Sequence, residues 1–406
     1  MFARVALAAI IASAPAAHGP VTQDRVVSAD PVDTTPHVLD GIVNAIAVVG
    51  RTVVVGGSFS EVTDAARKQV LARDNLFAFD LPTGRILPGF APVVPGPVRG
   101  LAAGDGGTVY VGGEFYRVND TRARGLARVR LSDGALVPGF APNLVGGTVN
   151  TLARQDGSLY VGGDFTGPRE ALARLDATTG AADPGFAVTP GEPLTPRVKV
   201  YALAIARGRL LVDGSFTTLD GQSRPQLGLI DVTGPTARVA PWRTDTYARK
   251  CSDAFPSYVR GLDFSPDGGY FVVVTTGGAV GGICDTAARF ETFAKGSAIR
   301  PTWVNATGGD SLYAVAVTGA AVYVGGHQRW LNNPQGRDTA GPGAVARPGI
   351  GAIHPSTGMA LAWNPTRERG IGVKAFSAQP AGLLVGSDTT RLGREYHARI
   401  GMFPLS

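Results

Sequence analysis

Apolar residues come in short β-branched and aromatic runs along this chain, each stopped by small residues and followed by a polar loop. The clearest run is Val109-Tyr-Val-Gly-Gly-Glu-Phe115. Variants return as Val53-Val-Val-Gly-Gly-Ser-Phe59, Leu159-Tyr-Val-Gly-Gly-Asp-Phe165, Leu210-Leu-Val-Asp-Gly-Ser-Phe216 and Val322-Tyr-Val-Gly-Gly-His-Gln328. Leu383-Leu-Val-Gly-Ser-Asp-Thr389 is a weaker copy, and Phe271-Val-Val-Val-Thr-Thr-Gly-Gly278 departs most. Helical periodicity is absent, so these runs read as strands. A unit that recurs at a steady period points to a repeat architecture.

A second apolar segment of common shape precedes each run. Its copies begin at Val43, Val98, Val149, Val200, Val259, Leu312 and Val373, spaced by 51 to 61 residues. After the glycine pair comes a polar loop, then a strand such as Leu126-Ala-Arg-Val-Arg-Leu131. A Gly-closed turn follows, as in Pro82-Thr-Gly84 or Thr178-Thr-Gly180. Such turns join antiparallel strands. A last segment ends near proline and an aromatic ring, as in Pro88-Gly-Phe90, Pro138-Gly-Phe140 and Pro184-Gly-Phe186. Four short strands per unit make a propeller blade, and seven units fall within the usual range. The expectation is an all-β, seven-bladed β-propeller with four-stranded blades over residues 18–406. The seventh copy stops after Ile400-Gly-Met-Phe403 with no fourth strand, while Arg25–Leu39 precedes the first copy and belongs to none. That N-terminal segment is expected to supply the missing outer strand and close the ring, which also protects a sheet edge.

The glycine pair, Phe, polar loop, Arg-x-x-Leu, Thr-Gly turn and Pro-x-Phe together resemble the delta-60 repeat propellers of secreted bacterial proteins. The pattern is also kelch-like in its glycine pairs. The resemblance covers nearly the whole mature chain and implies the fold. It implies no reaction, because propellers host enzymes, binders and scaffolds alike.

Composition narrows the setting. Of 406 residues 44% are hydrophobic and 17% charged, which suits a packed, turn-rich protein. The net charge of +6 comes from 33 Arg and 5 Lys against 32 acidic residues, with no basic block or helix, so no nucleic-acid partner is expected. Met1-Phe-Ala-Arg4, the apolar stretch Val5–Ala12 and the small residues to Ala17 read as a secretory signal peptide over 1–17. No later run is long enough for a membrane span, so a secreted, monomeric protein is expected. Cys251 and Cys284 are the two cysteines, and an exported protein pairs them as a disulfide. Both should lie on one face of repeat five.

Candidate chemistry follows from positions that break the repeat. The second residue of each innermost strand should ring the channel mouth: Asn44, Arg99, Asn150, Tyr201, Arg260, Tyr313 and Lys374. Arg99, Arg260 and Lys374 make that rim favour anions. Residues after the glycine pair add Glu114 and Asp164, a carboxylate pair that suits glycoside hydrolysis or merely caps turns. In repeat six, His327-Gln-Arg329-Trp330 replaces the usual x-Phe, and the loop runs 21 residues from Gly326 to Arg347. In repeat seven, His397 falls where the Arg-x-x-Leu pattern expects leucine, flanked by Glu395 and Tyr396. His327, Arg329, Trp330, Tyr396 and His397 would then converge on adjacent blades as a sugar-binding or proton-transferring group. The competing reading is satisfied structural histidines. The recurring Arg73, Arg169, Arg224, Arg347 and Arg394 read as loop pins. No metal set, cofactor motif or nucleophile motif is found. Three functions stay open: a module binding carbohydrate or a cell-envelope polymer such as an acidic glycan, a polysaccharide lyase or glycosidase, and a protein-interaction scaffold.

Overall fold

A computed structural model describes residues 21–278, 282–296 and 298–405. The expected signal peptide therefore lies outside the described residues. Among those described, regular structure is all strand, and no helix is long and apolar enough to cross a membrane.

Among the described residues, antiparallel sheets of three or four strands carry the repeats in chain order. Repeat one is built from Ile42–Val49, Thr52–Ser58 and Leu76–Asp80, and repeat two from Val98–Gly104, Thr108–Gly113 and Leu126–Arg130. Repeat seven is built from Ala375–Gln379, Gly382–Gly386 and Ile400–Pro404. The innermost strand of each sheet packs against that of the next, and the last packs against the first. One core cluster joins Val43, Val53 and Phe77 of repeat one to Leu384, Ile400 and Met402 of repeat seven. The fold is a β-propeller.

The glycine pair is explained by two close approaches. A Cβ on Gly112 would sit 2.6 Å from a methyl of Val149, the first residue of the next innermost strand. A Cβ on Gly113 would sit 2.2 Å from the carbonyl oxygen of Pro97, which enters its own repeat. The same two neighbours recur at Gly56 (Val98) and Gly57 (Ile42), and at Gly162 (Val200) and Gly163 (Thr148). Side chains there would push neighbouring sheets apart, so the pair is a packing requirement.

The fourth strand is less regular than the repeat suggests. It forms a ladder in repeat four (Arg238–Val239) and repeat five (Trp303–Ala306). In repeats one, two, three and six it shrinks to a single bridge: Phe79 with Ile86, Val129 with Leu136, Leu175 with Ala182, Ile353 with Ala360. Pro88, Pro138 and Pro184 follow three of these bridges within two residues, and proline cannot donate to a ladder. At repeat seven the N-terminal segment takes the outer edge through two backbone bonds, Ser28 N–H to the Pro404 carbonyl and Val32 N–H to that of Met402, each 2.8 Å. Trp363 Nε1 adds a 2.9 Å bond to the Ser28 carbonyl. The expected fourth strand of repeat seven is not formed: these few bonds hold the segment, and no ladder joins it to the sheet.

Cys251 and Cys284 form a disulfide with Cα atoms 5.8 Å apart, closing a 33-residue loop. Gly277 lies against both, since a Cβ there would be 2.8 Å from the Cys251 sulfur. Repeat five has Val274 and Thr275 where repeats one, two, three and six carry the glycine pair, pairing with Gly261 and Val259. Replacing both cysteines by serine should lower unfolding free energy by roughly 3–4 kcal/mol, read as a lower urea midpoint; an unchanged midpoint would show that the loop is held by other contacts.

Candidate functional site

The rim residues owe their direction to backbone bulges. In six repeats the pairing of the first two strands skips one residue: Asn44, Arg99, Asn150, Tyr201, Arg260 and Tyr313. A bulge leaves one residue unpaired and re-aims its side chain. Lys374 takes the same place in repeat seven, just before Ala375–Gln379, with its N–H bonded to the Gly386 carbonyl at 3.0 Å. Asn44 and Asn150 use this position to reach the next repeat, donating to the Val98 and Val200 carbonyls at 3.1 and 3.0 Å. They tie repeat one to two and repeat three to four.

The cations at this rim are mutually close and differently compensated. Arg99 pairs with Glu114 at 2.7 Å, both being about 40% exposed, so the pair is weak. Arg260 donates to the Val259 and Ser257 carbonyls and stacks over the Tyr201 ring at 4.5 Å. The Lys374 ammonium lies 3.3 Å from the centre of the Tyr313 ring and makes no ion pair among the described residues. Burial pulls its pKa down to about 8; Asp388 opposes this, while Arg260, Arg99 and Arg367 reinforce it. His327 also belongs here: its Nδ1 is 3.3 Å from the Tyr313 hydroxyl. Burial lowers its pKa, and Asp310 partly offsets this.

The four remaining candidates make structural contacts. Arg329 is locked to Asp310 by its N–H at 3.0 Å, its Nε at 2.8 Å and an Nη at 3.0 Å, and also meets Asp338. Asp310 is 2% exposed and takes a further bond from Arg369 at 2.7 Å. The Arg329 guanidinium covers one face of Trp330 at 4.4 Å, occupying the expected stacking platform. His397 is 3% exposed and packs edge-on against His37 at 5.8 Å. Tyr396 packs against the same His37 ring at 4.9 Å, with Arg67 over its face. Neither touches His327 or the rim among the described residues. The expected convergence of His327 with Tyr396 and His397 is therefore not formed. His397 is drawn instead to the segment before repeat one.

The carboxylates after the glycine pair act as pins. Asp164 accepts from the Thr148 N–H at 2.6 Å and Asp388 from the Gly372 N–H at 3.1 Å, each fixing the residue before an innermost strand. Ser215 does likewise for Lys199 at 2.8 Å. Glu114 and Asp164 are thus committed elsewhere than to a shared reaction centre. Arg224 and Arg347 pin the Ala240 and Leu361 carbonyls of the last segment of their repeats.

One residue at the channel was missed in the sequence, although it interrupts a glycine pair. Asp213 replaces the first glycine of repeat four. It is fully buried, accepts from the Ala202 N–H at 3.0 Å, and has a second oxygen without a partner. Burial pushes its pKa up to about 7, against the pull of that bond and of Arg260. Below that pH its charge is lost and less of the Arg260 field is cancelled.

Comparison with known proteins agrees on architecture. A family model described as a domain of unknown function (DUF5122) beta-propeller matches residues 107–140 and 154–186, within repeats two and three. No curated protein sequence matches the chain. The chain is similar in fold to the RRP9 WD40 repeats, at 11% identity and TM-score 0.55, covering 92% of this chain and 98% of that one. It is similar to U3-55K at 12% identity and TM-score 0.53, covering 92% and 99%. The extracellular domain of the one-component system BT4673 from B. thetaiotaomicron aligns at 13% identity and TM-score 0.52, over 93% of this chain and 40% of that one. Identities this low carry the fold alone.

Arg329→Ala should lower stability in urea by about 1–3 kcal/mol, because it strips hydrogen bonds from the buried Asp310. It should leave anion binding at the rim within about twofold. Weakened binding with unchanged stability would return Arg329 to the site. The match and the neighbours, taken with the packed sheets, make this chain a β-propeller protein.

Proposed function

We propose that this is a secreted, monomeric, seven-bladed propeller of the delta-60 repeat kind, acting as a binding module for carbohydrate. Its ligand is an acidic glycan or similar cell-envelope polymer, taken at the rim of the axial channel. The carrying observation is the trio Arg99, Arg260 and Lys374: the first two sit at the bulge of their repeats and Lys374 takes the corresponding place in repeat seven. Lys374 makes no ion pair among the described residues, and burial, reinforced by Arg260 and Arg99, disfavours its charge, so a bound anion would offset that cost. Carboxylate or sulfate groups answer it with charge-assisted hydrogen bonds. The N-terminal segment is the closing element of the ring. Secretion is supported by the disulfide, which persists in oxidising surroundings.

A polysaccharide-cleaving enzyme is less well supported. His327, Tyr396 and His397 are parted, and Glu114 and Asp164 are committed to Arg99 and Thr148.

The test is titration of polygalacturonate into the protein at several pH values. Lys374 is charged below about 8 and loses its proton above it, whereas a free lysine stays charged to 10.5. Affinity should therefore fall by up to about tenfold between pH 7 and 9. Lys374→Arg, which stays charged, should remove that loss, and Lys374→Gln should bind weakly at every pH. A wild-type affinity flat across this range, or an unaffected Lys374→Gln, would refute the assignment.

A further inference from the structure

The side chains of Asp33, Glu395 and His397 offer three ligand atoms that all lie within 4.8 Å of one another. Glu395 and His397 are two apart in sequence at the end of the hairpin strand Glu395–Tyr396. Tyr396 lies between them in sequence and packs on His37, with Arg67 over its face. His397 Nε2 is 3.3 Å from Glu395 Oε1. That separation is close to the edge of a tetrahedron drawn with metal bonds of about 2.0–2.1 Å. Asp33 comes from the segment before repeat one, next to Val32, whose N–H bonds the Met402 carbonyl of repeat seven.

A plain hydrogen bond between Glu395 and His397 leaves two facts unexplained. The His397 ring is 3% exposed, yet its other nitrogen, Nδ1, has no hydrogen-bond partner. His37, 3% exposed and packed against the same ring, also has an unpartnered Nδ1. The His397 imidazole and the carboxylates of Asp33 and Glu395 form a mixed nitrogen and oxygen donor set, with the His37 ring packed against His397. An ion bound at His397 Nε2 would replace the long 3.3 Å contact with Glu395 and offset the cost of burying this polar ring.

We propose that Asp33, Glu395 and His397 bind one first-row divalent cation, with Zn2+ best matched to one imidazole and two carboxylates. Asp33 is exposed, so water completes the coordination. The ion joins the N-terminal segment to the seventh repeat, where the two ends of the chain meet and few backbone bonds hold them. It clips the ring at its seam.

The test uses the full mature chain, stripped with chelator and titrated with zinc chloride by calorimetry, alongside thermal unfolding with and without the ion. One equivalent should bind, and Tm should rise with free Zn2+, because an ion that binds only the folded state stabilises it. Asp33→Asn alters an exposed carboxylate and should fold normally. It should weaken Zn2+ binding by at least about tenfold and abolish the Tm rise. Glu395→Gln should do the same, and His327→Ala, remote from the set, should change neither. No binding by the wild type, or binding that Asp33→Asn leaves intact, would overturn the proposal. So would an ion lost on changing His327.

Discussion

The close seating of one sheet on the next, through glycines that lack a side chain, is the constraint on which this structure depends. At Gly112 the next innermost strand arrives with Val149 where a Cβ would stand, and at Gly113 the entering carbonyl of Pro97 does the same. Neighbouring sheets can then lie tightly around the axis, and their apolar faces merge into clusters shared between repeats. The same crowding is accompanied by a bulge in the adjoining strand, one residue after that valine. Packing and bulge thus sit side by side: in six repeats the innermost strand, which packs on its neighbours, leaves one residue unpaired.

This coupling explains why some of the site was legible and some was not. The repeats supply an internal alignment, so the shared strand position of Asn44, Arg99, Asn150, Tyr201, Arg260, Tyr313 and Lys374 could be read from spacing alone. The disulfide was legible because Cys251 and Cys284 fall in segments that the repeat brings to one face. The grouping of His327 with His397 was not, because both sit in connections that depart from the repeat. Those connections form short hairpins, Trp330–Leu331 with Val345–Ala346 and Arg391–Leu392 with Glu395–Tyr396, each with its own side-chain directions. The fourth strands were over-read for a related reason. Period-two patterning continues up to each proline, but the missing N–H stops the ladder there. The Asp33, Glu395 and His397 set was invisible because Asp33 belongs to no repeat, so no spacing rule connects it to the far end of the chain.

The electrostatics of the rim show how a fold can hold charge ready. Lys374 is partly buried beside Tyr313 and within reach of two arginines, so its protonated form is disfavoured in the folded state. By linkage, this costs stability below about pH 8, and the cost fades as pH rises towards the ordinary lysine value of 10.5. A site that gives up stability in this way gains from any anion it captures. Asp213 adds a second control from repeat four, because it loses its charge near pH 7 and then leaves Arg260 less compensated.

The central claim, that the bulge-borne cations form an anion-binding mouth, is tested most directly by the salt dependence of glycan binding. Polygalacturonate and a neutral glucan of equal length would be titrated into the protein at pH 7, at low and at physiological ionic strength. Exposed charges are screened over about 8–10 Å at 0.1–0.15 M salt. The acidic polymer should bind, and weaken markedly as salt rises, while the neutral one should bind poorly at both. Equal affinity for the two polymers, or acidic binding that ignores salt, would contradict the account.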